Sequence, residues 1–257
     1  METKNLLGIS VKKLSKKNIL EEIKKFLLQP VGFFHIVSLN PENLVIAQEN
    51  KKFKEVLQTA QIKIVDGVGI VLAGKILGLV VGDHISGVDL ITDLLRVANE
   101  RRLRVMLIGG GLKIAERVVE CQKSKFPQVN FFALQGIKNI QNPQKEEEQK
   151  ILSIVSRFKP HLIFAAFGSP AQELWLYKNR EKLKGAVCMG AGQGFDVLSG
   201  RVKRAPVLLQ KIGLEWLYRL VTQPWRWRRQ LRLVKFCWLV MKEKIVRLIN
   251  YSIAQLL

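Results

Sequence analysis

Asp66 is the residue whose type and position most directly suggest catalysis. It follows the short apolar segment Ile62–Val65 and precedes Gly67. A carboxylate at the end of a buried strand would have a raised pKa and could act as a general base. From position alone, a turn or helix-cap residue is the simpler explanation. Asp66 is therefore a catalytic candidate whose role depends on what surrounds it.

Polar or glycine-rich residues follow several other apolar segments in the same way. They are Ser38 and Asn40, Gly109 to Gly111, Gly168 to Gln172, and Gly190 to Asp196 with Gly192 among them. His84 lies in a loop that leads into a predicted helix, whereas His35 and His161 lie within or beside apolar segments and fit a core position better. The carboxyl ends of parallel strands meet at one edge of a sheet, where such sheets bind ligands. We therefore expect these residues to share one crevice with Asp66.

The glycine turn at 109–111 is compatible with a phosphate at a helix N-terminus. It lacks the third glycine of the dinucleotide pattern G-x-G-x-x-G because Ile114 occupies that position, so a dehydrogenase is weakly supported. Asn40 and Gln172 also have structural explanations: Asn40 can cap a helix that begins at Pro41, and Ser169-x-x-Gln172 forms a capping-box pattern.

Regular alternation of apolar segments and amphipathic segments predicts the elements that position these residues. The predicted strands are 33–39, 62–65, 104–108, 131–134, 162–167 and 186–189; the predicted helices are 15–29, 44–59, 70–77, 87–101, one ending near 125, one starting near 146, and one from 169 to 184. This pattern predicts an α/β fold: an open, mostly parallel, Rossmann-like sheet with helices on both faces.

Charge distinguishes the C-terminal segment. The 257 residues contain 42 Lys and Arg against 21 Asp and Glu, and after residue 200 the only acids are Glu215 and Glu243. The net charge of +21 favours an anionic partner, such as nucleic acid, anionic lipid or a phosphorylated substrate.

The same segment contains an apolar stripe at helical spacing, which predicts a basic amphipathic helical appendage. The stripe comprises Trp227, Leu231, Val234, Trp238, Met241, Ile245 and Leu248. Packing on the core, a coiled-coil seam or contact between subunits would each explain it. Two tryptophans with bases beside them fit an interfacial helix on anionic lipid somewhat better.

Three features bear on location and cofactors. Cys121, Cys188 and Cys237 are odd in number and widely spaced, which favours a reducing, cytoplasmic location. The sequence predicts neither a signal peptide nor a transmembrane helix. It has no Asp-x-Asp pair, so we expect no metal site, and arginines would have to stabilise a departing diphosphate.

Several segments together resemble the WecG/TagA/CpsF glycosyltransferase family (glycosyltransferase family 26), in the right order and over about residues 5 to 230. They are Ser38-Leu39-Asn40-Pro41, Val65-Asp66-Gly67-Val68-Gly69, Ser86-Gly87-Val88-Asp89-Leu90, Phe167-Gly168-Ser169-Pro170-Ala171-Gln172-Glu173, Gly190 to Asp196, Gly200-Arg201-Val202-Lys203-Arg204-Ala205-Pro206 and Gly213-Leu214-Glu215-Trp216-Leu217-Tyr218-Arg219-Leu220. Each motif alone is weak, but the set is specific.

The resemblance implies an inverting, metal-independent enzyme that moves N-acetylmannosamine or a relative from a UDP-sugar to undecaprenyl-diphosphate-linked N-acetylglucosamine, for cell-surface polysaccharide or teichoic acid. It implies Asp66 as the base. The implied substrate-binding residues are Ser38, Asn40, His84, Gln172, Gly109, Gly110, Gly168, Gly192 and Asp196, and the implied diphosphate-binding residues are Arg219, Arg226 and Arg229. Family members often carry Thr at Ser38, Arg at His84 and Lys at Ala171; histidine lacks the permanent bidentate charge of arginine.

The resemblance also implies an organisation and a location. We expect an α/β catalytic domain at 1–200 and a membrane-associating appendage at 201–257, on the cytoplasmic face of the membrane, possible homo-oligomers, and no nucleic-acid partner. The alternative is a non-enzymatic, basic, nucleic-acid-binding α/β protein, supported by net charge alone and lacking a recognised binding motif.

Overall fold

A computed structural model describes residues 4–211, 213–224 and 227–256. Its centre is a six-stranded sheet in the order β4-β3-β8-β7-β5-β6, in which every neighbouring pair is parallel. The strands are β1 (Lys4–Leu6), β2 (Ile9–Val11), β3 (Phe34–Leu39), β4 (Ile62–Val65), β5 (Arg104–Gly109), β6 (Asn130–Leu134), β7 (Leu162–Ala166) and β8 (Val187–Gly190). The predicted parallel α/β sheet is confirmed.

Helices cover both faces of the sheet. They are α1 (Lys16–Leu28), α2 (Pro41–Glu49), α3 (Lys51–Thr59), α4 (Val68–Ile76), α5 (Gly87–Glu100), α6 (Ile114–Lys123), α7 (Lys145–Phe158), α8 (Ala171–Lys178), α9 (Gly194–Leu198), α10 (Val207–Lys211), α11 (Glu215–Thr222) and α12 (Trp227–Leu256). Helices α1, α5, α6 and α9 pack on one face, and α2, α3, α7 and α8 pack on the other. Alternate residues of the inner strands pack on opposite faces; in β7, for example, Leu162 and Phe164 pack on the α5 face, and Ile163 and Ala165 on the α7 face.

Two local predictions are wrong. The predicted helix 44–59 is two helices, because Asn50 ends α2 and caps α3, its Oδ1 accepting from the Phe53 N–H at 3.0 Å. A short antiparallel hairpin, β1–β2, also precedes α1 and was not predicted. Leu6 and Ile9 of this hairpin are fully buried, so it extends the core beyond the parallel sheet.

Helix α12 packs along α2, and its buried face is not the predicted stripe. Phe236 and Val240 enter the core that contains α2 and α4. Ion pairs join Arg232 to Glu42 and Lys235 to Glu49. The Leu7 N–H of the hairpin donates to Glu243 at 2.9 Å. The C-terminal helix is thus held against the α/β body, and the proposed boundary at residue 200 stays a prediction.

The predicted stripe points away from this interface. All seven residues of the stripe are exposed, with Val234 at 70%. Lys242 lies over the Trp238 ring at 5.3 Å, which places a cation at the edge of the apolar surface. Packing of the stripe on the core of the same chain is therefore wrong. Within the described ranges, no helix has both the length and the apolar character needed to span a membrane.

Candidate active site

Asp66 lies at the carboxyl end of β4, where several site residues converge. Its N–H donates to the Leu39 carbonyl at 2.8 Å, which fixes the chain beside the end of β3. A Cβ added at Gly87 would lie 3.7 Å from Asp66 Oδ2 and 3.7 Å from Ser38 Oγ. The first turn of α5 therefore approaches both side chains, and glycine at position 87 leaves the space beside them open.

The loop before α5 places His84 next to the same strand end. His84 forms a parallel bridge with Val65, and the Ile85 N–H donates to the Val65 carbonyl at 2.9 Å. The imidazole is exposed and close enough to Asp66 to lower the pKa of that carboxyl. The structure thus brings together Ser38, Asp66 and His84. Ser38 and His84 are 46 positions apart in the sequence.

Asp66 is half-buried, and the burial of its carboxyl raises its pKa to about 6. Arg219, His84 and the Gly87 N–H counteract burial by lowering the pKa of Asp66, whereas the nearby Glu215 raises it. A carboxylate with a pKa of about 6 is largely ionised at neutral pH. It is also more basic than an ordinary aspartate, which suits proton abstraction.

Helix α11 carries Arg219, whose positive charge acts on Asp66. Arg219 pairs with Glu215 one turn earlier. Arg219 also lines a small cavity of about 10 Å³ whose wall includes Asp196. Of the other predicted diphosphate-binding residues, Arg226 lies outside the described residues, and Arg229 lies in α12 but its side chain is outside the described part.

The segment between α9 and α10 is fixed by a bidentate ion pair. Arg204 Nη1 and Nη2 donate to Asp89 Oδ1 and Oδ2 at 2.6 and 2.7 Å. The pairing lowers the pKa of the Asp89 carboxyl and raises that of the Arg204 guanidinium. Arg201 makes a longer contact of 3.5 Å with Asp196. Two motifs far apart in sequence are therefore joined beside the Asp66 crevice.

The glycine turn after β5 lies further along the same edge. Four strand spacings separate β4 from β5, or about 19 Å at 4.8 Å each. Gly109 and Gly110 have φ of +94° and +85°, and a Cβ on either would meet neighbouring atoms. Gly111 faces open space, and so does Gly168 after β7. The turn therefore belongs to a different part of the crevice from Asp66.

Gln172 and Asn40 make intramolecular contacts. Asn40 caps α2, as predicted, by accepting from the Asn43 N–H at 2.8 Å. The capping box at 169–172 is wrong, because Ser169 donates instead to Asn43 Oδ1 at 2.7 Å. Gln172 is 4% exposed, and its Oε1 accepts from the Gly192 N–H at 3.1 Å. Direct contact of Asn40 and Gln172 with a sugar stays a prediction.

Three polar residues of this site were not singled out from the sequence. Glu215 influences Asp66, Asn43 links Ser38 to Ser169, and Glu173 bonds to Gln172. Glu173 and Glu215 both occur in motifs that carry the family resemblance. Within those motifs, only the spacing of Glu215 and Arg219, one helical turn apart, offered a local signal. Across the described ranges, no group of three or more His, Cys, Asp or Glu is placed to hold a metal ion.

A parallel sheet with polar and glycine residues at its carboxyl edge defines an α/β protein with a ligand crevice at that edge. Comparison with known proteins identifies the family. The family model described as "Glycosyl transferase WecG/TagA/CpsF family" matches residues 4–249. The chain belongs to this family and is a glycosyltransferase. The resemblance inferred from the motifs is confirmed, and the non-enzymatic nucleic-acid-binding alternative loses its support.

Curated relatives resemble the chain over most of its length. A Bacillus spizizenii protein is 34% identical over 219 residues, covering 85% of this chain and 82% of the relative. A Bacillus subtilis protein is 29% identical over 245 residues, covering 95% and 93%. A Staphylococcus aureus protein is 27% identical over 226 residues, covering 88% and 85%. Each relative is named N-acetylglucosaminyldiphosphoundecaprenol N-acetyl-beta-D-mannosaminyltransferase.

Proposed function

We propose that the chain transfers N-acetylmannosamine, or a related sugar, from a UDP-sugar to undecaprenyl-diphosphate-linked N-acetylglucosamine, with inversion at the anomeric carbon. The product would enter the synthesis of a cell-surface polysaccharide or teichoic acid. The names of the relatives support the sugar and the acceptor. The observation that carries the proposal is the half-buried Asp66 carboxyl at the end of β4, whose pKa is raised to about 6 and which lies near Ser38 and under the electrostatic influence of Arg219.

In this mechanism Asp66 is the general base. Its carboxylate takes the proton of the acceptor hydroxyl while the acceptor oxygen attacks the anomeric carbon. The bond from that carbon to the diphosphate oxygen breaks on the opposite face, and its electron pair leaves with UDP. A single displacement of this kind inverts the anomeric configuration. Ser38, Asn40 and Gln172 would orient the sugar or the loops that contact it.

The departing diphosphate gains negative charge and needs cations or N–H donors. Among the described side chains, Arg219 lowers the Asp66 pKa most, and it lines the small cavity whose wall includes Asp196. The glycine turn at 109–111 and the start of α6, which has no side-chain cap, offer backbone N–H groups further along the edge. We therefore propose that arginine side chains stabilise the diphosphate beside Asp66, with no metal cofactor, and that the glycine turn further along the edge holds the nucleotide.

The lipid-linked acceptor suggests where the enzyme works. We place it at the cytoplasmic face of the membrane, with the exposed stripe of α12 as its lipid contact. The stripe is apolar and solvent-facing, and Lys242 at Trp238 offers a cation for anionic headgroups. The opposite face of α12 packs on the α/β body, so lipid contact would hold the crevice near the membrane surface.

The test is acceptor-dependent UDP release by purified protein in detergent micelles, with a panel of UDP-sugars, in EDTA and in Mg²⁺. We expect release with a UDP-N-acetylhexosamine in both media. Asp66→Asn should lower kcat by about 10²-fold or more while donor binding is unchanged. Asp83→Asn is the matched control, since Asp83 Oδ2 only accepts from the Lys16 N–H and an amide oxygen can replace it.

Three results would count against parts of the proposal. Turnover of Asp66→Asn equal to wild type would remove Asp66 as the base. Release only in Mg²⁺ would show that a metal contributes. No release with any donor would refute the proposed reaction.

A further inference from the structure

Glu173 is a buried carboxyl beside the proposed site that the mechanism above does not use. It is 2% exposed and follows Gln172 in the first turn of α8. Its Oε1 accepts a hydrogen bond from Gln172 Nε2 at 2.8 Å. Its Oε2 is buried and has no hydrogen-bond partner among the described residues. A buried carboxyl with an unpartnered oxygen is costly, so its presence calls for an explanation.

The contact with Glu173 determines which way the Gln172 amide faces. An amide has an accepting oxygen and a donating NH₂, and only its partners distinguish the two orientations. Glu173 Oε1 accepts from the NH₂, which leaves Gln172 Oε1 towards the Gly192 N–H, its partner at 3.1 Å. If the amide were reversed, the Gln172 NH₂ would face the Gly192 N–H, and neither of these two donors would have an acceptor in that contact. Glu173 therefore selects the orientation that holds the loop 191–193.

Gly190 makes room for this pair. A Cβ at Gly190 would overlap Gln172 Nε2 and would lie 2.8 Å from Glu173 Oε1. The backbone of Gly190 has no positive φ, so the requirement for glycine here is one of space alone. The two side chains thus pack directly on the last residue of β8, at the start of the loop they hold.

Contacts on the other side of Glu173 lead to the catalytic end of the crevice. The Ser169 hydroxyl lies beside the Glu173 carboxyl and donates to Asn43 Oδ1 at 2.7 Å. Asn43 Nδ2 donates to the Ser38 carbonyl at 2.8 Å. A line of polar contacts therefore runs from Ser38 to Gly192 across the ends of β3, β7 and β8.

The surroundings of Glu173 raise the pKa of its carboxyl. Burial makes the largest contribution to this rise in pKa and the acidic Glu42 adds to it, while the hydrogen bond from Gln172 opposes it. Ser169 donates its only proton to Asn43, so its oxygen is left to accept. A protonated Glu173 Oε2 can donate to that oxygen and satisfy both groups. An amide at position 173 could make the same contacts.

We propose that Glu173 is a positioning residue, which orients Gln172 and through it fixes the Gly192 N–H in the loop after β8. The inference rests on the proposed function, because this loop would contact the donor sugar or its diphosphate. In that role Glu173 never touches the substrate. Its effect should appear in donor recognition and in the order of the loop.

The test compares Glu173→Ala, Glu173→Gln and Gly190→Ala with Glu146→Ala, an exposed glutamate of α7, as control. Exchange of the Gly192 amide hydrogen is followed by NMR, and donor KM and kcat by UDP release. We expect Glu173→Ala and Gly190→Ala to speed Gly192 exchange by about tenfold or more. Both should raise donor KM by about tenfold with a smaller change in kcat. Glu173→Gln should stay within about twofold of wild type in both measurements.

The outcomes separate this proposal from the proposed function. Wild-type Gly192 exchange in both Glu173→Ala and Gly190→Ala would overturn the positioning role, whatever the enzyme transfers. Glu173→Gln behaving like Glu173→Ala would overturn it too, because the amide oxygen of Gln can accept from Gln172 as Glu173 Oε1 does. If the wild type transfers no sugar and Gly192 exchange changes as expected, the positioning role stands and the proposed reaction fails.

Discussion

The acidic limb of the pH–rate profile is the sharpest test of the Asp66 assignment. The pKa of about 6 makes Asp66 about 90% ionised at pH 7 and about 10% ionised at pH 5. Because only the carboxylate can accept the acceptor proton, kcat/KM should fall about tenfold between these values. kcat/KM is the appropriate quantity, since it reports the free enzyme, whose pKa the empty crevice determines.

A substitution at Glu215 should move this limb in a known direction. The negative charge of Glu215 raises the Asp66 pKa, and Glu215 also pairs with Arg219, which lowers it. Glu215→Gln removes the first effect and releases Arg219 to strengthen the second. Both changes stabilise ionised Asp66, so the limb should move to lower pH. The variant should retain more of its pH 7 activity at pH 5 than wild type does.

The assay is UDP release at subsaturating donor in buffers from pH 4.5 to 8, with folding monitored by circular dichroism at each pH. Glu146→Gln, at an exposed site on α7, is the control and should leave the limb in place. A wild-type limb near pH 4, or a limb that moves to higher pH in Glu215→Gln, would refute the electrostatic reasoning given above for Asp66.

Three further predictions concern stability and membrane contact. His35 is 1% exposed, neither ring nitrogen has a hydrogen-bond partner among the described residues, and burial lowers its pKa to about 3. Only the unfolded chain takes up this proton as pH falls from 6.5 to 5, so in urea unfolding the change in stability from pH 7 to pH 5 should be less favourable for wild type than for His35→Leu by about 2 kcal/mol. Val234→Glu should weaken pelleting with anionic vesicles by about tenfold, since it puts a charge on the exposed stripe; Val31→Glu, on another exposed valine, should not. A double-mutant cycle of Asp89→Asn and Arg204→Gln should give a coupling of about 1 kcal/mol in urea unfolding, because the pair is well aligned but partly exposed; a coupling near zero would mean that the pair does not hold the 200–206 segment.

The parallel sheet could be predicted because each inner strand is a short apolar run that can be recognised from the local sequence alone. Leu162–Ala166 is apolar throughout and is buried throughout, as a strand covered on both faces must be. Helical segments between the strands then require parallel connections, which place Asn40, Asp66 and Gly190 at one edge. The convergence of Ser38, Asp66 and His84 follows from this topology and needed no knowledge of side-chain contacts.

The predictions for Asn50 and Ser169 are wrong because each side chain can form a hydrogen bond with either of two partners. Asn50 was placed inside a long helix, but its short side chain competes for backbone N–H groups and caps a new helix. The spacing of Ser169 and Gln172 predicts a helix cap, but the Ser169 hydroxyl donates instead to Asn43 Oδ1, 126 positions away in the sequence. Periodicity likewise identified the α12 stripe but not its direction. Phe236 and Val240, four residues apart, form the buried face instead.

The pKa of the proposed base depends on a segment that the sequence places 150 positions away. Burial raises the Asp66 pKa most, Arg219 and His84 lower it, and Glu215 raises it. Arg219 and Glu215 both belong to α11, so the position of α11 over the end of β4 contributes to the strength of the base. The same helix carries the arginine proposed for the diphosphate. Displacement of α11 would therefore change proton abstraction and leaving-group stabilisation together. This coupling explains why neither function of the site could be assigned from the α/β body alone.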